Sequence, residues 1–300
     1  MHAGSIVPNS AGTRRPRTSA PALACDAHMH VYDGRFAAVA VPRAMVDDAT
    51  ADDYRLLRAR TGTQRTVVVQ PRAHGTDNAT TLAAIRALGP DRTRGVAVLA
   101  PEATDAELER LHAGGIRGIR FSLHTATHAA TRFDAVETLA HRVVGLGWHL
   151  QLHWTAEQVV AHADLLRRLP CTLVFDHLGR LPLPAGTAHP AFAVLRGLCA
   201  GGRAWIKLSG AYLDSTVGAA GGYRDTDAVA QAWLAERPDR LVWGSDWPHP
   251  TEAPAKPDDA DLFDLLARWV PDEAARHRVL VANPAALYDF PTTDSDETTP

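Results

Sequence analysis

The sequence predicts an α/β protein built as a (β/α)8 barrel, a TIM barrel, and two observations carry that prediction. Short apolar runs alternate with longer segments of helical spacing eight times over, the pattern that builds a parallel sheet covered by helices. The repeats fill roughly 265 residues, and a barrel of this kind takes ~250. No GxGxxG or Walker loop follows any of the runs, so the glycine signatures of an open nucleotide-binding sheet are missing.

Each element has its own local signal. The eight runs cover residues 25–30, 66–71, 95–101, 116–123, 149–154, 172–179, 204–210 and 241–246. They are rich in Val, Ile, Leu, Phe and Trp, as strands buried on both faces are. A helix over 52–61 starts behind Thr50, whose hydroxyl can cap the first amides. A second, over 78–88, follows Thr76 and Asp77. Thr104 precedes a helix over 105–113 with Glu107 three residues on, a capping box. The helix over 134–146 stops at Gly147, and that over 155–168 stops at Leu169-Pro170, where the proline ring forbids continuation. Helices over 190–199, 225–235 and 258–269 end near Gly201-Gly202, Pro238 and Pro271. A ninth helix over 272–280 and a turn over 284–288 close the chain.

Composition bounds the function. Hydrophobic residues make up 46% and charged residues 22% of the 300, values of a soluble globular protein with a large core. The net charge of −3 offers no basic field for nucleic acid and no polybasic segment for a membrane. Cys25, Cys171 and Cys199 are odd in number and form no CxxC, so neither a disulfide framework nor a zinc ribbon is implied. The cytoplasm is the expected compartment. Arg14, Arg15 and Arg17 suggest an export signal, yet no apolar run follows them. Residues 1–23 are therefore expected to be a disordered tail, 24–290 a single barrel, and 291–300 a second, polar tail. Nothing in the sequence fixes an oligomeric state.

In a (β/α)8 barrel the reactive residues sit at the C-terminal ends of the strands. The first predicted strand ends in His28 and His30, the second in Gln70, followed by Arg72 and His74. The fourth ends in Arg120, Ser122 and His124, the fifth in Gln151 and His153, and the sixth in Asp176 and His177. The seventh ends in Lys207, Ser209 and then Tyr212, and the eighth in Asp246 and then His249. His28 and His30 are two apart and share a face of a strand. If they point into the mouth they meet Asp246, His177 and His153 there, a cluster suited to a metal or to acid/base chemistry. A lone strand-end histidine is ordinarily a core or loop residue; the joint pattern carries the functional reading. Lys207 reads as a buried ion-pair partner, and Asp176 equally as a support for the site or as a cap.

Together CDAHMHVYD, FDHLG, WIKLSGAY and WGSDWPH resemble the amidohydrolase superfamily. More narrowly they resemble its amidohydrolase-2 branch, which includes 2-pyrone-4,6-dicarboxylate lactonase, sugar lactonases and D-galactarolactone isomerase. The likeness runs from about Cys25 to Tyr288. It implies an amidohydrolase-like, metal-dependent hydrolase fold, with His28, His30, His153, His177 and Asp246 at ligand or catalytic positions. Many binuclear members carry a bridging carboxylated lysine or glutamate at the end of the fourth strand, where this chain has Arg120. The resemblance therefore implies either no metal or one zinc held by His28, His30, His177 and Asp246.

The expected reaction is hydrolysis of a small lactone carrying a carboxylate or several hydroxyls. Arg120 would pair with the carboxylate through its planar two-pronged donor, with Arg72 and His74 as further candidates. His28, His30 and His177 would polarise the carbonyl, and Asp246 would move the proton. Gln70, Ser122, Tyr212 and His249 would bind the substrate. Lactone isomerisation and decarboxylation are the alternative chemistries, and a non-catalytic binding barrel is the alternative class. The loops at 35–45, 72–77, 124–132 and 214–224 carry no readable specificity code, and the last, rich in glycine, reads as a lid or as floppy.

Overall fold

A computed structural model describes residues 6–38, 48–125, 129–252 and 254–291. Eight parallel strands form one sheet in sequence order: β1 (Cys25–Met29), β2 (Arg65–Val69), β3 (Thr93–Ala97), β4 (Ile116–Ser122), β5 (His149–His153), β6 (Leu173–Phe175), β7 (Ala204–Leu208) and β8 (Leu241–Trp243). Closure falls to β8 and β1. The Asp246 amide donates to the His28 carbonyl at 2.8 Å, and the His30 amide to the Trp247 carbonyl at 2.8 Å. Gly244 lets the two strands approach, because a Cβ there would lie 2.5 Å from the His28 Cβ and 2.9 Å from its amide nitrogen.

The helices are α1 (Ala51–Thr61), α2 (Ala79–Leu88), α3 (Asp105–Ala113), α4 (Phe133–Val143), α5 (Ala156–Ala161), α6 (Ala163–Arg168), α7 (Pro190–Ala200), α8 (Ala211–Asp214), α9 (Asp227–Glu236), α10 (Asp259–Trp269), α11 (Glu273–His277) and α12 (Asn283–Tyr288). Thr50 caps α1 in a full capping box with Asp53, and Thr104 caps α3 through the Glu107 amide. The single helix expected over 155–168 is broken at His162, whose backbone leaves the helical path (φ −108°, ψ 23°) and whose ring stacks on Phe133 with centroids 4.2 Å apart. Its first half has its own box, Thr155 with Gln158. The ninth helix expected over 272–280 ends early and widens into a π-helical turn, Arg278–Ala282.

Two apolar layers result. One lies between the strands and the helices and holds most of the buried Leu, Ile and Trp. The other fills the base of the barrel with Cys25, Ala27, Val67, Val69, Val96, Val174 and Val242, closed from below by Tyr288 and Phe290. In β1 the register shifts between Asp26 and Met29. A shift of this kind re-aims side chains, so His28 and His30 join the mouth although Cys25 and Ala27 already face the base.

The expected disordered tail over 1–23 is corrected for residues 6–23. Val7 is buried, the Ala11 amide donates to the Pro257 carbonyl at 3.0 Å, and Arg14 pairs with Asp261 and Asp264 on α10. Arg60 on α1 holds the carbonyls of Ala11 and Arg14. Polar backbone along the segment is thus paired to barrel helices, which its small and polar composition concealed. Residues 1–5 and 292–300, including most of the expected C-terminal tail, lie outside the described residues. The glycine-rich loop after α8 is tied down too: the Ser215 and Thr216 hydroxyls and the Thr216 and Val217 amides all donate to Asp225. Among the described residues no helix is long and apolar enough to cross a membrane, and the three cysteines are buried and unpaired.

Gly118 on β4 faces the buried His149 ring, which a Cβ would approach to 2.4 Å. Gly118→Ala should therefore cost about 1–3 kcal/mol, as overpacking does. Gly145→Ala, with open space around it, should leave the melting temperature unchanged. Thermal unfolding of the two variants side by side checks this; equal melting temperatures would contradict the packing described.

Candidate active site

The eighth predicted strand, expected to run to Asp246, ends as a strand at Trp243, and Asp246 adopts φ 63°. That left-handed turn, which aspartate tolerates better than most residues, swings its carboxylate over the barrel mouth. Its Oδ1 lies 3.4 Å from His28 Nε2 and 3.3 Å from His30 Nε2. Its Oδ2 accepts from the Tyr212 hydroxyl at 2.6 Å and lies 3.9 Å from His177 Nε2. The sixth run is likewise shorter than expected. After Phe175 the chain turns through His177 and Leu178 with φ 50° and 57°, which brings Asp176 and His177 inward.

Below this cluster lies a charged layer. Asp176 takes Arg120 Nε at 3.1 Å and Gln151 Nε2 at 3.3 Å on Oδ2. Its Oδ1 lies 3.2 Å from His28 Nδ1. Lys207, fully buried, donates to the Ala27 carbonyl and to Gln151 Oε1, each at 2.8 Å, and lies 3.2 Å from His28 Nδ1. Its distance to Asp176 is 3.8 Å. Lys207 therefore does more than balance a buried acid: it touches the first histidine of the cluster.

Burial shapes the electrostatics. Desolvation, then the Lys207 charge, hold His28 well below the ordinary imidazole range against the pull of Asp176. Desolvation brings His177 down to about 4 although Asp246 and Asp176 oppose it. His153 is lowered by burial, Arg120 and His177. These rings are neutral at pH 7. Burial pushes Asp246 up, but His177, the His30 hydrogen bond and His28 outweigh it and keep the carboxyl well below its usual range. Asp176 is held low against burial by His28, Arg120 and Lys207. Burial draws Lys207 down to about 8 against Asp176.

His28 Nε2, His30 Nε2 and Asp246 Oδ1 are 3.3, 3.3 and 3.4 Å apart. A tetrahedral ion bonded at about 2.0–2.1 Å sets its ligand atoms about 3.4 Å apart. The three side chains fit one divalent ion by type and by spacing. His28 with Asp176 and His177 forms a second such group that shares one ligand.

Above the cluster opens a cavity of about 340 Å³. His30, His153, His177, Asp246, Arg72, Arg120 and Ser122 line it, as the strand-end pattern predicted. His153 stands apart from Asp246: its Nδ1 meets Ser122 Oγ at 3.1 Å and its Nε2 meets Arg180 Nη1 at 2.9 Å. Three residues expected at the substrate lie elsewhere. Gln70 is buried behind the wall, where its amide nitrogen holds the carbonyls of Gly75 and Asp77 and its oxygen accepts from Thr81. Tyr212 spends its hydroxyl on Asp246. His249 is buried, with Nδ1 3.2 Å from the Tyr212 hydroxyl and Nε2 3.1 Å from Asp259 Oδ2. These two stand behind the carboxylate and form no part of the cavity wall. His74 also turns away, its Nδ1 on the Ala37 carbonyl at 3.0 Å.

Among the wall residues that the sequence reading did not single out, Arg180 and Tyr32 stand out. Arg180 is clamped by Asp214 through two bonds of 2.9 Å and presents a nitrogen to His153. The sixth strand was read through Gly179, which hid Arg180 as the start of a loop. Tyr32 lines the cavity and continues the two-residue spacing of His28 and His30, a signal that was present.

A model of the amidohydrolase family matches residues 25–290. The chain belongs to that family. It is 34% identical to a 2-pyrone-4,6-dicarboxylate hydrolase of Comamonas testosteroni, over 93% of this chain and 94% of the relative. It is 36% identical to a 4-sulfomuconolactone hydrolase of Rhizobium radiobacter, over 89% and 90%. A D-galactarolactone isomerase of Agrobacterium fabrum is 33% identical, over 91% and 93%. The amidohydrolase-2 resemblance read from the motifs is thereby borne out, and with it the barrel fold.

A buried histidine with a lowered pKa binds fewer protons folded than unfolded, so stability rises with pH across the gap. For His177 the gap runs from about 4 to the unfolded 6.5. Asp26, raised by burial from 3.8 to about 6, acts in the opposite sense within its own gap. The melting temperature should fall as pH is lowered from 6.5 to 4, and His177→Gln should flatten that slope. An unchanged slope in the variant would remove His177 from the account.

Proposed function

We propose that this amidohydrolase opens the ester ring of a small lactone that carries a carboxylate or several hydroxyls. The observation that carries the reading is one ionised carboxylate, Asp246, beside the neutral imidazoles of His28 and His177 at the floor of a cavity walled by Arg72, Arg120 and Arg180. Two of the relatives are named for hydrolysis of anionic lactones, which agrees with that charge pattern. The Arg72 guanidinium makes no hydrogen bond or ion pair among the described residues, so it is available to a substrate carboxylate. Arg120 spends Nε and Nη2 on Asp176 and retains Nη1 for the same task.

In this mechanism a water attacks the lactone carbonyl while Asp246 takes its proton. The oxyanion that forms is met by the His177 imidazole on the cavity wall. When the ring C–O bond breaks, Asp246 returns the proton to the departing alkoxide, so the product is the hydroxy acid. Tyr212 holds Oδ2 and leaves Oδ1 for the reaction. His28, His30 and Asp246 would hold a single divalent ion, and such an ion supplies polarisation of the carbonyl. The Arg120 cation beside them offers no anionic bridge to a second. A cytoplasmic setting would keep the three buried thiols reduced.

The isomerase relative favours a second reading in which a substrate hydroxyl replaces water as nucleophile. Turnover in 18O-labelled water separates the two: hydrolysis puts one label in the product carboxylate, and isomerisation puts none. Asp246→Asn should lower kcat by about 10²–10⁴-fold with an unchanged circular dichroism spectrum; near-normal turnover would refute its role. Tyr212→Phe should lower kcat by roughly ten- to a hundredfold, as misplacement of a reacting group does, with KM little altered. Arg72→Ala should raise KM by roughly ten- to a hundredfold, the worth of a charged hydrogen bond, and spare kcat.

A further inference from the structure

We propose that residues 7–18 form a strap that sets the position of Asp246, by holding Trp247 at one end of the connection from β8 to α10 and the start of α10 at the other. The need for such support is local. β8 ends at Trp243, and both Asp246 and His249 take left-handed backbone, φ 63° and 55°. Residues other than glycine keep that conformation only where their surroundings impose it. The two seam bonds to β1 hold one side of this turn, and the strap holds the other.

Seam and strap meet at Trp247. Its carbonyl accepts from the His30 amide at 2.8 Å. Its indole, which can only donate, gives its N–H to the Pro8 carbonyl at 2.8 Å. The Trp247 side chain is fully buried, with the Tyr54 ring of α1 5.6 Å away between centroids. Val7, next to Pro8, is buried in the same apolar layer.

The far end of the connection is pinned to the same segment. The Ala11 amide donates to the Pro257 carbonyl at 3.0 Å. Ser10 Oγ accepts from the amide of Asp259, the first residue of α10, at 3.3 Å. Arg60 clamps the strap from α1, with Nε on the Arg14 carbonyl at 2.7 Å and Nη2 on the Ala11 carbonyl at 3.0 Å, and it pairs with Asp258. At Gly12, φ 65°, the strap passes so close that a Cβ would run into the Asp258 carboxylate. Residues 247–258 are thus tied at both ends to one segment, and Asp246 is the residue just before them. A consequence for turnover rests on the hydrolytic reading; the hold on Asp246 does not.

Amide hydrogen exchange in the full-length wild type and in Gly12→Val tests the proposal. A β-branched residue at a left-handed position, with its Cβ against Asp258, lifts the strap from α10. The His30 and Asp246 amides should then exchange about tenfold faster or more, the worth of one or two hydrogen bonds, while the amides of β4 and β5 keep wild-type rates. On a lactone that the wild type opens, kcat should fall roughly ten- to a hundredfold, as misplacement of a reacting group does, with KM little altered. Wild-type rates at His30 and Asp246 overturn the proposal. So does a rise spread evenly over all eight strands, which is the mark of a segment that only adds stability, and so do faster seam rates with wild-type kcat. If Gly12→Val does not fold, Ser10→Ala, which removes only the hydroxyl at α10, should show the same pattern at smaller size, and wild-type exchange in it overturns the proposal. If the wild type opens no lactone, the hydrolytic reading fails and the exchange comparison still decides the strap.

Discussion

The closure of the barrel and the assembly of the candidate site are one event. The hydrogen bond from the Asp246 amide to the His28 carbonyl joins the last strand to the first, and its two residues also supply the central acid and imidazole. Asp26 reinforces the seam by taking the Ser245 hydroxyl at 2.6 Å and the Ser245 amide at 2.9 Å, and the Tyr54 hydroxyl at 3.0 Å. A displacement of β8 along β1 would break the sheet and move the carboxylate off the histidines together.

Beneath that seam, opposite charges are buried in one layer. Asp176 answers Arg120 and Lys207, and both of its oxygens lie among nitrogen atoms of four side chains. Burial of an unpaired charge is costly, and loss of one partner leaves the other exposed to that cost. The layer thus resists substitution from either side, and burial, aided by Lys207 at His28 and by Arg120 at His153, holds those imidazoles neutral.

How far the sequence spoke depends on the range of the interaction involved. The strands were legible because strands buried on both faces carry apolar runs, and α1 and α3 because Thr50 and Thr104 cap them within four residues. His28 and His30 followed from the two-residue period, and Asp246 from its position after LVWGS. Pairings across the barrel were not legible. Gln70 fell at a strand end like the true wall residues, yet Gly75, Asp77 and Thr81 absorb it. Tyr212 and His249 were placed at the substrate because both follow strands, whereas their partners are Asp246 and Asp259. The order of residues 6–23 was hidden because it comes from α1 and α10, far along the chain, and from no pattern of its own.

The seam has a consequence for how the protein is made. His28 and His30 leave the ribosome early and Asp246 near the end, so a nascent chain carries an exposed HxH pair for most of its synthesis. The last strand delivers the closing hydrogen bonds and the carboxylate together, so a chain that stops short of β8 has neither a closed sheet nor a site.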